Sequence, residues 1–238
     1  MPFLSREHEF LFYSAPATGS TAIIDALFSG IGGEYYPETD IVSGNTRITP
    51  RKHATPQQMR DGGLMTPEIL DFKTMVGVRN PFSFHVAKYL RNKTKRAQQI
   101  QNENSWINKL PKGDRDRYVR RIQSQISMSF SEYLRSEFRR YDQPMAVQAH
   151  FLDDGRIDFF IHQENISDDL ERILAEIGIA EKVAVAKKNV TGALKNDQTY
   201  HDFYDEELKA LVYEWNAPSF ELFPEYSFEG FDPDKIRV

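Results

Sequence analysis

FLFYSAPATGSTAIIDALF, residues 10–28, decides how the rest of the chain is read. Four apolar residues run into a stretch rich in Ser, Pro, Thr and Gly, after which Ile23, Ile24, Leu27 and Phe28 recur at helical spacing. The order is strand, tight loop, helix. It returns in FKTMVGVRNPFSFHVAKYL (72–90), where a buried strand ends at Arg79 and a helix follows, capped by Asn80 with Pro81 at its first position. RIDFFIHQENISDDLERILAEIGI (156–179) repeats it a third time, with acidic residues in the helix's first turn.

Between these units, Gly30, Gly32 and Gly33 stop the first helix, and a further strand is expected around residues 34–42. In KHATPQQM (52–59), Thr55 reads as an N-cap and Pro56 as the first helical residue, which sets Lys52 and His53 just before a helix. Tyr118, Ile122, Ile126, Phe130 and Leu134 stand four apart and predict one long amphipathic helix within a polar stretch at about 98–142. Another helix is expected over 205–223. Strands alternating with helices predict an α/β fold of the P-loop-like, three-layer kind: a central, mostly parallel sheet flanked by helices. One domain over 1–238 is expected, with 98–142 as a helical cap or insertion.

Bulk properties narrow the function. The chain has 238 residues, 40% of them hydrophobic, enough to bury a substantial core. A net charge of −5 argues against a duplex nucleic-acid binder, which neutralises many phosphates with basic surface. Without cysteine, disulfides, thiolate zinc sites and cysteine nucleophiles are excluded, and a reducing compartment is the natural home. MPFLSREHEFLFYS (1–14) places charges where a signal peptide is apolar, and no run reaches membrane-spanning length, so a cytoplasmic location with no membrane span is expected.

The chemistry is expected at the first loop. In an open α/β sheet, ligands bind outside the carboxyl ends of the strands, and the first strand-to-helix junction is the usual anion site. Here it carries Pro16, Ala17, Thr18, Gly19, Ser20 and Thr21. Glycine lets the backbone turn and approach a ligand closely, while helix N-terminal amides and the hydroxyls of Thr18, Ser20 and Thr21 are donors for phosphate or sulfate oxygens. The alternative is a loop whose Ser and Thr only cap the helix. G-x-x-x-x-G-K-[ST] is absent, which disfavours a nucleoside triphosphatase.

The strand-P-x-[ST]-G-[ST]-T-helix arrangement instead resembles the 5′-phosphosulfate loop of sulfotransferases that use 3′-phosphoadenosine 5′-phosphosulfate (PAPS). That family also carries a strand ending in Arg, then Asp or Asn, then Pro, matched here by Arg79, Asn80 and Pro81. The segment around Glu164 and Asn165 and the 204–226 helix with its aromatic tail are similar to later parts of the family, so the likeness runs over residues 8–228. The resemblance implies PAPS as donor, adenosine 3′,5′-bisphosphate as product, no metal, and Arg79 on the 3′-phosphate. It is closest to the bacterial and carbohydrate-type branches.

Two positions depart from the pattern. Ala17 stands where the family usually has a Lys or Arg that stabilises charge on the bridging oxygen, and Ala87 stands where a serine binds the 3′-phosphate. Lys52 or Arg51 is the candidate to bring a charge in from the neighbouring segment, while Ser83 and Lys88 lie out of register for the missing serine.

For the base that takes the acceptor's proton, His53 resembles the family's Lys-His segment and is favoured over Glu34 near the second strand. Lys188 and Asn189, in a late Gly-containing loop, are candidates for the 3′-phosphate, against a plain surface loop. His85 reads as a packed helix residue, and His8, His150, His162 and His201 show no metal-ligand spacing. The expected function is sulfuryl transfer from PAPS to a hydroxyl or amine of an unidentified small-molecule, lipid or carbohydrate acceptor. The alternatives are a catalytically inactive nucleotide-binding module of the same fold and, third, a nucleotide kinase.

Overall fold

A computed structural model describes residues 1–238 except 45, 111, 153–155, 182, 187–197 and 237–238. Along the chain, β1 (Phe3–Ser5) and β2 (Phe10–Tyr13) lead into α1 (Ser20–Gly30). Then come β3 (Glu34–Tyr35), β4 (Ile41–Ser43), β5 (Thr46–Thr49), α2 (Pro56–Asp61), α3 (Pro67–Leu70) and β6 (Lys73–Val78). α4 (Pro81–Arg91), α5 (Ala97–Gln101), α6 (Lys112–Ser127) and α7 (Phe130–Phe138) follow. The chain closes with α8 (Ala149–Leu152), β7 (Phe159–His162), α9 (Ile166–Glu176), α10 (Glu206–Trp215) and α11 (Ala217–Leu222).

These elements form two compact units, each assembled from two chain segments: Met1–Arg79 with Gln148–Val190, and Asn80–Val147 with Thr191–Val238. The helices of 98–142 belong to the second unit, which starts earlier, at Asn80, and takes in α10 and α11.

The first unit holds a five-stranded sheet in the order β3-β1-β2-β6-β7. β2, β6 and β7 run parallel, with Tyr13 opposite Val76 and Val78 opposite His162. β1 pairs antiparallel with both β2 and β3, so the sheet is mixed where the alternation of strands and helices predicts a mostly parallel one. The difference comes from the first five residues: β1 and β2 are joined by a short turn, and a hairpin is antiparallel by construction. The strand expected at 34–42 is two elements, β3 on the sheet and β4 in a separate hairpin with β5.

Phe3, Phe10, Phe12, Met75 and Ile161 pack against Ile23, Ile24 and Leu27 of α1 and Leu170, Ile173 and Leu174 of α9. The alternate residues Leu4, Leu11, Tyr13, Val76 and Val78 are buried as well, so β2 and β6 are covered on both faces and read as continuous apolar runs.

The second unit is helical. Phe82, Val86, Tyr89 and Leu90 of α4 meet Phe130, Tyr133, Leu134 and Phe138 of α7 and Leu208 and Val212 of α10. The single long helix expected through 118–134 is broken in two. Ser129 accepts a bond from the Glu132 amide (3.3 Å) and the Glu132 carboxylate accepts from the Ser129 amide (2.8 Å), a reciprocal cap that starts α7 afresh. Four-residue spacing persists across the break, and S-x-x-E was the signal that marks it.

Two buried titratable groups lie in this helical unit. The Asn216 amide donates to Met145 O (2.9 Å), so its Oδ1 accepts from His85 Nε2 (2.9 Å), and His85 Nδ1 is buried with no partner. Burial pushes His85 down to about 4, only partly offset by the Asn216 bond. Burial alone would raise the Glu137 carboxyl, but Lys88 at 2.5 Å, with Arg140 and Gln125, holds it at about 2.

Both groups bind fewer protons folded than unfolded in mild acid, so stability falls with pH: through His85 from about 6.5 towards 4, and through Glu137 from about 4.5 towards 2. The His85 contribution amounts to about 3 kcal/mol across its window. Urea unfolding followed by Trp106 and Trp215, both in the second unit, should show a lower midpoint at pH 5 than at pH 7. His85→Gln should flatten that dependence; an unchanged slope would place the proton uptake elsewhere.

Candidate anion site at the strand ends

β2, β6 and β7 are adjacent and parallel, so the segments leaving them emerge at one edge of the sheet. The segment after β2 is the 14–19 loop. Thr18 Oγ1 donates to Ala15 O (2.9 Å), and both Ala17 (φ 65°) and Gly19 (φ 76°) adopt the left-handed backbone. For Ala17, which carries a Cβ, that conformation costs on the order of 1 kcal/mol.

The segment after β6 provides a support for it. Arg79 Nη1 donates to Ala17 O at 3.1 Å, and Arg79 directly follows the last residue of the strand. The loop also lies on β6 itself: a Cβ on Gly77 would stand 2.5 Å from Thr18 Oγ1. After β7, Ile166 at the start of α9 closes against Gly19, where a Cβ would stand 2.5 Å from Ile166 Cδ1.

α1 begins immediately beyond. Its first internal bond is from the Ala22 amide to Gly19 O (2.8 Å), so the amides of Gly19, Ser20 and Thr21 have no acceptor within the helix. Pro16 and Thr21 are exposed, and Ala17 and Gly19 are half-buried, while Ser20 and Thr18 are buried. Thr18's hydroxyl donates to the loop's own backbone and braces the turn.

His53 reaches the loop from the segment ahead of α2. Its Nδ1 lies 2.5 Å from Ser14 O; a carbonyl only accepts, so Nδ1 carries a proton, and in the neutral ring Nε2 holds the lone pair. His53 too has positive φ (60°). Thr55 and Pro56 start α2 two residues later, through a reciprocal cap with Gln58.

The Met1 amine lies 3.3 Å from Ser14 Oγ, and burial, followed by the charges of Lys52 and Arg51, pushes it down to about 6. Arg51 Nε also touches Met1 Sδ at 2.9 Å. The Met1 amine beside Ser14 thus lies within the field of Arg51 and Lys52, from a segment remote in sequence.

Other candidates stand elsewhere. Glu34 is on β3, two strands from β2 in the sheet order, and accepts from Arg6 Nε at 3.0 Å. Ser83 donates to Asn80 O within its own helix, and Lys88 is held by Glu137, so both have structural tasks in the second unit. Lys188 and Asn189 fall outside the described residues.

A pair missed in the sequence lies at the end of β7. His162 Nδ1 and the His162 amide both meet Asp169 Oδ2, at 2.6 and 2.7 Å, and the pair is buried. Burial would raise the Asp169 carboxyl, but the His162 and Asn165 bonds hold it below the usual carboxylate range. This pair pins the first turn of α9 to the strand end, and so sets Ile166 against Gly19. An acid seven residues after a strand-terminal histidine was its only signal.

Among the described residues no three His, Cys, Asp or Glu side chains are grouped to hold a metal, and no helix is long and apolar enough to cross a membrane. Compared with family models, curated proteins and solved structures, the chain matches none.

Gly77→Ala drives a methyl into Thr18 and should cost about 1–3 kcal/mol, as overpacking does. A thermal melt unchanged from the parent would show that the loop does not rest on β6.

Proposed function

We propose that the chain is a PAPS-dependent sulfotransferase with its donor site at the 16–21 loop. What supports the reading above all is that two distant segments meet the backbone between β2 and α1: Arg79 bonds to Ala17 O within the loop, and His53 to Ser14 O, two residues ahead of it. The two motifs that resemble the family, the loop and the Arg-Asn-Pro turn, thereby share one edge of the sheet.

The residues present fit an anionic nucleotide. Open amides at the start of α1, the positive end of its dipole and a guanidinium fork suit phosphate and sulfate groups. Arg79 and the Gly19–Thr21 amides would hold the donor, which supplies the transferable sulfuryl group. His53, with Nδ1 fixed on Ser14 O, presents Nε2 as the base for the acceptor's hydroxyl proton. Arg51 and Lys52, whose charges act on the same region, are the groups to offset negative charge that Ala17 cannot. The α/β fold, with three parallel strands delivering these segments, is of the kind in which such sites occur.

Ala17 also favours a second reading, a nucleotide-binding module without turnover, since the loop itself carries no cation. Calorimetry with adenosine 3′,5′-bisphosphate, then turnover of PAPS against acceptor pools, separates the two. Binding with sulfated product is expected of the enzyme, and binding without product of the module. Dependence on magnesium and ATP would instead favour a kinase. Arg79→Ala should weaken nucleotide binding by about 2–3 kcal/mol, the worth of a charged hydrogen-bond pair. His53→Gln should keep binding and lower turnover by roughly 100-fold or more. Unaltered affinity in the Arg79 variant would remove it from the site.

A further inference from the structure

Residues 91–121 carry ten basic and three acidic side chains in a chain whose net charge is −5. Asp114 and Asp116 are taken up locally by Arg117 (2.5 Å) and Arg115 (3.6 Å). Among the described residues, Lys95, Arg96, Lys109, Lys112, Arg120 and Arg121 have no carboxylate partner. A concentration of unpaired charge on one segment of an acidic protein creates a local positive field, which recruits anions.

Aromatic rings are built into this segment. The Arg96 guanidinium lies 5.1 Å from the Trp106 ring centre, Trp106 meets Tyr118 edge-on at 5.3 Å, and Arg121 lies 5.2 Å over Tyr118. Arg96, Trp106, Tyr118 and Arg121 thus form a continuous row of cations and rings. Trp106 remains 42% exposed within it, an unusual position for a large apolar side chain. Beside the row, Asn108, Arg115, Asp116, Val119 and Arg120 line an open concavity of about 450 Å3.

The backbone is unusual at the same place. Asn92–Arg96, which carries three of the basic residues, is a π-helical turn between α4 and α5. Such wide turns recur at functional sites.

We infer that this surface of the second unit binds an acidic carbohydrate, a chain of sugars bearing carboxylates or sulfates. Guanidinium forks match both groups in a bidentate manner. An exposed indole offers a flat apolar face to the C–H face of a sugar ring. Asp116 and Asn108 supply acceptors for hydroxyl donors, which sugars have in abundance. One exposed ring is too few for the successive stacking of a single-stranded nucleic acid. This inference stands on the second unit alone and is independent of sulfuryl transfer, so either can fail without the other.

The test titrates the full chain with three probes: a heparin hexasaccharide, neutral maltohexaose and single-stranded oligothymidylate. Calorimetry and Trp fluorescence are the readouts, at low salt and again at about 0.5 M, where surface charge is largely screened. The hexasaccharide should bind best and lose affinity with salt. Trp106→Ala and Arg120→Glu should each weaken it roughly tenfold or more, the scale of one stacking or charged contact, and Lys235→Glu, outside the segment, should leave it unchanged. Arg120 is exposed, so its variant tests the surface even where Trp106→Ala fails to fold. Absence of hexasaccharide binding, equal binding of maltohexaose, or full affinity in Arg120→Glu overturns the inference. Tighter binding of oligothymidylate overturns it in favour of nucleic acid.

Discussion

A loop that carries open amides has to be held in shape by something other than its ligand, and in this chain that support is the approach of Thr18 to Gly77. The space exists because residue 77, inside a buried strand, has no side chain. Glycine normally weakens a strand, so its presence between two valines marks a site where another backbone comes close. With the loop resting on β6, Ala17 and Gly19 are driven into left-handed conformations, and Arg79, next along the same strand, is within reach of Ala17 O. Strand, loop and guanidinium form one mechanical unit.

Electrostatics add to that unit from outside it. His53 bonds to Ser14 O, and the charges of Arg51 and Lys52 act on the region around Ser14. The 51–53 segment thus brings His53 to the start of the loop and positive charge to the Met1 amine beside Ser14. Two residues here, Ala17 and His53, hold positive φ without being glycine. Strained conformations of that kind persist where surrounding contacts over-determine them, and they concentrate at functional sites.

The residues that announced themselves in the sequence were those governed by local rules. Thr55 with Pro56 and Asn80 with Pro81 start helices because caps and proline act over three or four residues. The strand-loop-helix at 10–28 is legible for the same reason. What eluded the sequence was set at long range or by competing patterns. The antiparallel β1 is a strand of three residues, too short for periodicity to reveal, and the break at Ser129 hid under an unbroken apolar stripe. At the site, the placement of Arg79 and His53 beside one loop follows from strand order, which no single segment encodes. The position of Glu34, two strands from β2 in the order β3-β1-β2, is likewise set by strand order. The His162–Asp169 pair has no motif of its own and exists only once α9 folds back on β7.

The chain leaves the sheet after β6 and returns at β7, its immediate neighbour, with the Asn80–Val147 segment made in between. Asp158 joins the Thr74 amide at 2.8 Å across an interval of 84 residues. During synthesis, β6 therefore waits with a bare edge until that whole stretch has left the ribosome, and an unpaired apolar strand is an invitation to wrong partners. Long-range parallel pairing is slow, because chain closure is entropically costly before any contact rewards it. The helices of the intervening stretch, α4 and α7 among them, can collapse meanwhile and shorten the gap that the last strand must cross.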